Sequence, residues 1–285
     1  MTNDLKPIAD PQPPSAKRSL SEIPYPRRIA VLADIHGNSV ALDAVLADIE
    51  AKGGVDAHWL LGDYAAIGPD PVGVLERIMV LPQAQFIRGN TDRLAASLNE
   101  FDRFTEESQE NPEILPVIVQ MNRSFAWTAG ALTAAGWLPW MADLPLDMRV
   151  TLPDGTRVLA VHSSPGTDDG TGIHPKLADE ELGRLIDGAE ADLICIGHTH
   201  APLDRVVNGI RVVNPGSIGN PVLPGAGAFY AMLECGLDGY DMTLEQVTYD
   251  KEAVVVATRS VRHPAASYIE SFLAGRRVPD WARND

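Results

Sequence analysis

The chain has 285 residues, 45% of them hydrophobic and 22% charged, and carries a net charge of −16. That balance belongs to a globular protein able to bury a sizeable core, and its acidity excludes a protein that coats polymeric nucleic acid, which needs an excess of Lys and Arg. No apolar run is long enough to span a membrane, and the two cysteines, Cys195 and Cys235, sit in apolar strand-like runs, so buried thiols in a cytoplasmic setting are expected.

Residues 1–27 are rich in Pro and polar side chains without a hydrophobic signal core, and read as a mobile tail ahead of a single domain over 28–285. Ile29 to Ala33 reads as a buried strand that ends abruptly in "DIHGN". A helix follows, with Leu42, Val45, Leu46 and Ile49 at helical spacing and Gly53 and Gly54 to end it. "AHWLLGD" is the next strand, "PVGVLERIMV" a helix starting at Pro71, and "AQFIRGN" a third strand. From about 93 to 143 the pattern is helical without a clear strand, which marks an insertion. Then come a hairpin turning at Asp154-Gly155, a short helix "ADEELGRLIDG", the buried strand "ADLICIGHTH", and a second hairpin turning at Asn208-Gly209. Two more strands, "AFYAMLEC" and "YDMTLEQVTY", lead into a helical C-terminus. Parallel βαβ units followed by hairpins imply α/β architecture, with mixed sheets flanked by helices.

Five of these strands terminate in a metal-ligand type of side chain. Asp34 and His36 follow the first and Asp63 the second; Asn90 follows the third, His162 the strand "VLAV", and His198 and His200 the strand "LICI". Side chains that leave a sheet at strand carboxyl ends face a common crevice, and residues two apart in an extended chain point the same way. Taken singly, each has a plainer role: Asp34 or Asp63 as a helix cap, Asn90 in a turn, His162 satisfied in the core. The repetition at one topological position outweighs those readings. Imidazoles and carboxylates without thiolates suit Mn, Fe, Zn, Ni or Co, and seven ligands suit two divalent ions with one carboxylate bridging. Two such ions against two aspartates and a hydroxide leave about one net positive charge, enough to attract a small phosphoester inside an acidic protein.

The motifs "DIHGN", "GDYAAIGPDP", "RGNTD", "VHSSP", "GHTH" and "NPGSIGNP" resemble those of the calcineurin-like metallophosphoesterases, above all their compact bacterial phosphodiesterases and phosphatases. The resemblance implies a four-layer αββα sandwich of two mixed β-sheets. It implies that Asp34, His36 and His200 hold the first metal, that Asn90, His162 and His198 hold the second, and that Asp63 bridges both. It further implies that Asn90 and His162 orient phosphate and that a metal-bridging hydroxide attacks phosphorus in line. Many members carry His after the Gly-Asn of the third motif, as a general acid; here Thr91 occupies that position, which favours phosphodiesters or activated phosphoesters over phosphomonoesters. Manganese is the expected metal. A phosphoprotein or nucleotide phosphomonoesterase and a catalytically silent metal-binding scaffold are the competing readings.

Beside the ligands, Tyr64 and Arg88 are candidate substrate contacts, with Arg88 equally able to pair with an acid. Trp127, Trp137 and Trp140 could form a lid or pack the insertion onto the body. His174 could replace the missing proton donor or lie in a surface loop. "NPGSIGNP" reads as a turn supporting the metal rim.

Overall fold

Ile29, Val31 and Ala33 point to one side of the first strand and Ala30 and Leu32 to the other, yet all five are buried. Burial on both faces is what makes such strands continuous apolar runs. In the computed structural model, which describes residues 27–97, 109, 111–276 and 281, these faces meet two different partners. Ile29, Val31 and Ala33 pack with Val158, Leu193 and Cys195 of a second sheet. Ala30 and Leu32 pack with Leu42, Val45 and Leu75 of two helices.

The first sheet contains β1 (Arg27–Leu32), β2 (Ala57–Leu60), β3 (Ala84–Phe86), β9 (Ala228–Gly236) and β10 (Gly239–Val247), in the order β10-β9-β1-β2-β3. The second contains β4 (Asp147–Thr151), β5 (Arg157–Val161), β6 (Leu193–Cys195), β7 (Leu203–Val207) and β8 (Ile210–Asn214), in the order β4-β5-β6-β8-β7. In the first sheet β1, β2 and β3 are parallel, and in the second β5, β6 and β8 are parallel; the remaining pairings are antiparallel. Both hairpins expected from Asp154-Gly155 and Asn208-Gly209 form, as β4–β5 and β7–β8.

Helices close both outer faces. α1 (Ser39–Ala51) starts where the Asn38 side chain accepts from the Ala41 amide, and α2 (Pro71–Met79) where Asp70 accepts from Gly73. α3 (Asn90–Ala96), α4 (Leu115–Ala134) and α5 (Leu138–Ala142) follow on the same side, and α6 (Asp179–Leu185) covers the second sheet through Leu182. α7 (Lys251–Ser260) and α8 (Ala266–Leu273) pack on each other at the end of the described chain. The four-layer αββα sandwich is therefore the architecture of this protein. Most of the tail expected over 1–27 lies outside the described residues, but Arg27 belongs to β1, opposite Cys235.

The insertion is helical where it is described, and its tryptophans divide. Trp137 is buried, and Trp140 packs edge-on against Phe86 with centroids 5.3 Å apart, and also against Trp137 and Tyr64. These two fasten the insertion to the body and are not a lid. Trp127 stands edge-on to His263 at 4.4 Å. Trp140→Ala should therefore lower unfolding free energy by about 3 kcal/mol, measured by urea denaturation. A destabilisation within about 0.5 kcal/mol of zero would show that the aromatic cluster does not fasten the insertion.

Candidate metal centre

The strand-end residues converge. Asp34, His36, Asp63 and His200 place ligand atoms all within 4.8 Å of one another. His36 Nε2 lies 3.0 Å from His200 Nε2 and 3.5 Å from Asp63 Oδ2, and His200 Nε2 lies 3.4 Å from Asp34 Oδ1. Beside this group, His162 Nε2 and His198 Nδ1 each lie 3.2 Å from Asn90 Oδ1. Asp63 Oδ2 is 3.4 Å from His162 Nε2, so one carboxylate oxygen faces both groups.

Each imidazole is oriented by its other ring nitrogen. His36 Nδ1 donates to the Ala66 carbonyl. His162 Nδ1 donates to Leu61 O at 2.6 Å, His200 Nδ1 to Asn220 O at 2.7 Å, and His198 Nε2 to Gly170 O at 2.8 Å. These bonds fix the tautomers, leaving the inward nitrogens to act as lone-pair donors. Lone pairs on His36 Nε2 and His200 Nε2 cannot face each other at 3.0 Å without a proton or cation between them. The donor set thus fits divalent ions bound by nitrogen and oxygen.

The charges agree with that fit. Burial opposes an imidazolium at His162, but the Asp63 and Asp34 carboxylates overcome it and push its pKa up to about 10. Burial raises the Asp63 carboxyl, and the imidazoles of His162, His36 and His198 outweigh this, holding it well below the usual carboxylate range. The facing pair splits: burial lowers His36, while Asp34 and Asp63 raise His200 against its burial. The carboxylates that raise His162 and His200 would likewise attract a divalent cation.

Holding the donors there requires unusual backbone. Asp34, His36, Asp63, His198 and His200 have φ of 55°, 50°, 59°, 67° and 59°, the left-handed region that side chains normally avoid. A mesh of loop hydrogen bonds enforces it. His36 N donates to Asp63 O at 2.9 Å, and His198 N to Asp34 Oδ2 at 3.1 Å. Ser217 Oγ donates to Asp34 O at 2.7 Å, and Asn214 Nδ2 to Gly197 O at 2.6 Å, so the "NPGSIGNP" segment supports the rim. Glycine is required at 89 and 219: a Cβ there would collide with Asp63 Oδ1 and with the Ile35 carbonyl, respectively.

Asp92, to which the sequence pattern gave no role, anchors the centre. Its carboxylate accepts from the backbone amides of Asp63 at 2.7 Å, Tyr64 at 2.9 Å and Gly89 at 2.9 Å. Its only local signal is an acid at the third position of α3 after Gly89. Arg88 pairs with Asp168 at 2.6 Å, and Arg93 pairs with Asp168 and with Asp169 at 2.9 Å. These arginines tie down the loop whose Gly170 carbonyl orients His198. The expectation that Tyr64 touches substrate is overturned. Its ring is fully buried, and its hydroxyl bonds to the Leu60 and Ile87 carbonyls beneath the rim. Arg88 takes its ion-pair role. His174 stacks on Trp281, with centroids 4.9 Å apart. Thr91 is buried, and its Oγ1 has no hydrogen-bond partner among the described residues.

Imidazole and carboxylate donors thus gather at the carboxyl ends of the parallel strands of an αββα sandwich, an arrangement suited to divalent-metal binding. A family model described as the calcineurin-like phosphoesterase superfamily domain matches residues 28–237, and the chain belongs to that superfamily. An uncharacterized protein of Methanocaldococcus jannaschii, MJ0912, is 26% identical over 210 residues, 68% of this chain and 76% of that one. The crystal structure of a metallophosphoesterase from Sphaerobacter thermophilus is similar at 27% identity and TM-score 0.66, over 88% of this chain and 99% of that one. Hypothetical protein PH1004 from Pyrococcus horikoshii OT3 shares the fold at 24% identity and TM-score 0.73, over 87% and 98% of the two chains.

Asp92→Ala leaves three buried amides without an acceptor and should destabilise the protein by about 2–4 kcal/mol in urea unfolding. Unchanged stability would remove Asp92 from its anchoring role.

Proposed function

We propose that the protein hydrolyses phosphodiesters or activated phosphoesters by in-line displacement at phosphorus. In this reading Asp34, His36 and His200 hold one divalent ion, Asn90, His162 and His198 hold a second, and Asp63 serves both. The observation that carries it is the convergence of these donors with every imidazole tautomer fixed by a backbone carbonyl. Manganese is the favoured ion, with Fe, Zn, Ni and Co also suited to nitrogen and oxygen donors. When bound, such ions supply Lewis acidity toward phosphoryl oxygens and an activated water. The protein's own share is positional: rigid strand ends fix the donors, and the Asn90 amide faces the same space as His162 and His198. The two buried free cysteines, of which Cys195 is pushed by burial up to about 12, fit a reducing compartment and support a cytoplasmic setting. Among the described residues no helix is long and apolar enough to cross a membrane.

Metal analysis of the purified protein should find two ions per chain, with turnover of bis(p-nitrophenyl) phosphate in manganese. Asp63→Ala should lose both ions and turnover, and His36→Ala mainly one ion. Because the Asp63 and Asp34 carboxylates raise the pKa values of His162 and His200, loading should release protons and affinity should rise with pH. Titration calorimetry in buffers of different ionisation enthalpy reads this directly. Two ions bound without turnover of any phosphoester would instead identify a silent scaffold.

Thr91 decides the expected leaving-group dependence. A hydroxyl cannot protonate a departing alkoxide near neutral pH as an imidazolium can, and that help is worth about 10²–10⁴-fold. Aryl phosphodiesters should turn over readily and alkyl phosphomonoesters slowly, giving a steep dependence of rate on leaving-group pKa, which Thr91→His should flatten. A shallow dependence in the unmodified enzyme, abolished by His174→Ala, would move the acid to the 166–174 loop.

A further inference from the structure

Asn90, His162 and His198 share one support, the three-residue segment Asp168, Asp169 and Gly170. Ser163, next to His162 in the chain, donates its hydroxyl to Asp169 O at 2.9 Å. His198 donates from Nε2 to Gly170 O at 2.8 Å. Asn90 lies in the chain between Arg88 and Arg93, and both guanidiniums pair with Asp168. The other donors are braced elsewhere: His36 by Ala66 O, His200 by Asn220 O, and the Asp34 carbonyl by Ser217 Oγ.

Charge holds this segment where regular structure does not. Residues 168–170 belong to neither helix nor strand, and Gly170 has φ of 97°. Asp168 is only 4% exposed, and its Oδ2 accepts from Arg88 Nε at 2.6 Å and from Arg93 Nε at 3.1 Å. Both arginines start from fixed backbone, since Arg88 N donates to Pro145 O at 2.7 Å and Arg93 N to Gly89 O at 3.2 Å. A carboxylate accepts on both oxygens and binds two guanidiniums strongly when shielded from water. An asparagine offers one acceptor oxygen and turns an NH₂ toward a guanidinium that can only donate. The His198 backbone amide keeps its own bond to Asp34 Oδ2 at 3.1 Å, so moving Gly170 O frees the ring without releasing the chain.

We propose that Asp168 is a positioning residue for one half of the centre: pinned by Arg88 and Arg93, it keeps Asn90, His162 and His198 in register and so sets the affinity of that half for a divalent ion. The proposal rests on the donor assignment made above and divides the centre by its supports. The half built on Asp34, His36 and His200 is braced by backbone and hydroxyl groups. The other half hangs on a shared ion pair and can be weakened alone.

The test is calorimetric titration of manganese into the full-length, metal-stripped protein, comparing the unmodified chain with Asp168→Asn and Arg88→Met. The unmodified protein should take up two ions. Each variant should weaken one of the two by about 10–100-fold and leave the other within about threefold. A general loss of folding would weaken both together, so the split separates positioning from stability. A second readout needs no metal: two-bond proton–nitrogen spectra of the imidazoles, with His198 assigned by its loss in His198→Gln. The unmodified protein should show the Nε2–H tautomer at His198. Asp168→Asn should move that signal toward a mixture of tautomers while those of His36 and His200 stay in place. Two ions weakened alike, neither weakened, or an unmoved His198 signal in Asp168→Asn overturns the proposal. Fewer than two ions in the unmodified protein would instead sink the donor assignment, and the proposal with it.

Discussion

Each imidazole of the centre has one ring nitrogen committed to a backbone carbonyl, and from that constraint the rest of the site follows. A histidine free to rotate or exchange tautomers would present a proton as readily as a lone pair. Bound to Ala66, Leu61, Gly170 and Asn220 carbonyls, these four present one face only. The carbonyls come from loops that leave both sheets, so the electronic state of the donors is set by the fold. Their lone pairs then crowd together so closely that cations or protons must separate them.

Crowding of this kind needs chain directions that ordinary strand ends do not provide. The left-handed residues Asp34, His36, Asp63, His198 and His200 turn the backbone sharply, directing donors inward within a few residues of the last ladder bond. Each such conformation costs on the order of 1–3 kcal/mol. It persists because neighbouring loops leave no alternative: amides of one loop find their acceptors on another, and glycine at 89 and 219 lets the backbones touch. Asp92 performs for the Asp63 turn what the "NPGSIGNP" segment performs for Asp34 and His200.

The parts of this arrangement that were legible in the sequence are those with a local signature. Apolar strands that stop at Asp34, Asp63, Asn90, His162 and His198 are visible because burial on both faces makes the run continuous and the polar ending abrupt. The helix start at Pro71 carries its own chemistry of fixed φ. Tyr64 was misread because nothing near it in the chain separates a phenol under the rim from one over it. Its acceptors, the Leu60 and Ile87 carbonyls, include one 23 residues away. Asp92 was missed for the same reason, since its partners Asp63 and Tyr64 lie a full βα unit upstream. The tryptophans of the insertion offered two roles, and only the position of Phe86 and Tyr64 chose between them.

The donors come from both halves of the sandwich: Asp34, His36 and Asp63 from loops of the first sheet and Asn90 from the start of α3 that follows it, His162, His198 and His200 from loops of the second. The two sheets otherwise meet through an apolar interface of Val31, Trp59, Ala160 and Leu193, whose attraction is non-directional and tolerates sliding. Ions held at the rim would act as rivets between the layers, fixing their shear in a way that oily contact does not. Mechanical rigidity of the interface and readiness of the centre would then be one property, and a force that slips one sheet past the other would be resisted most strongly at the end where the donors converge.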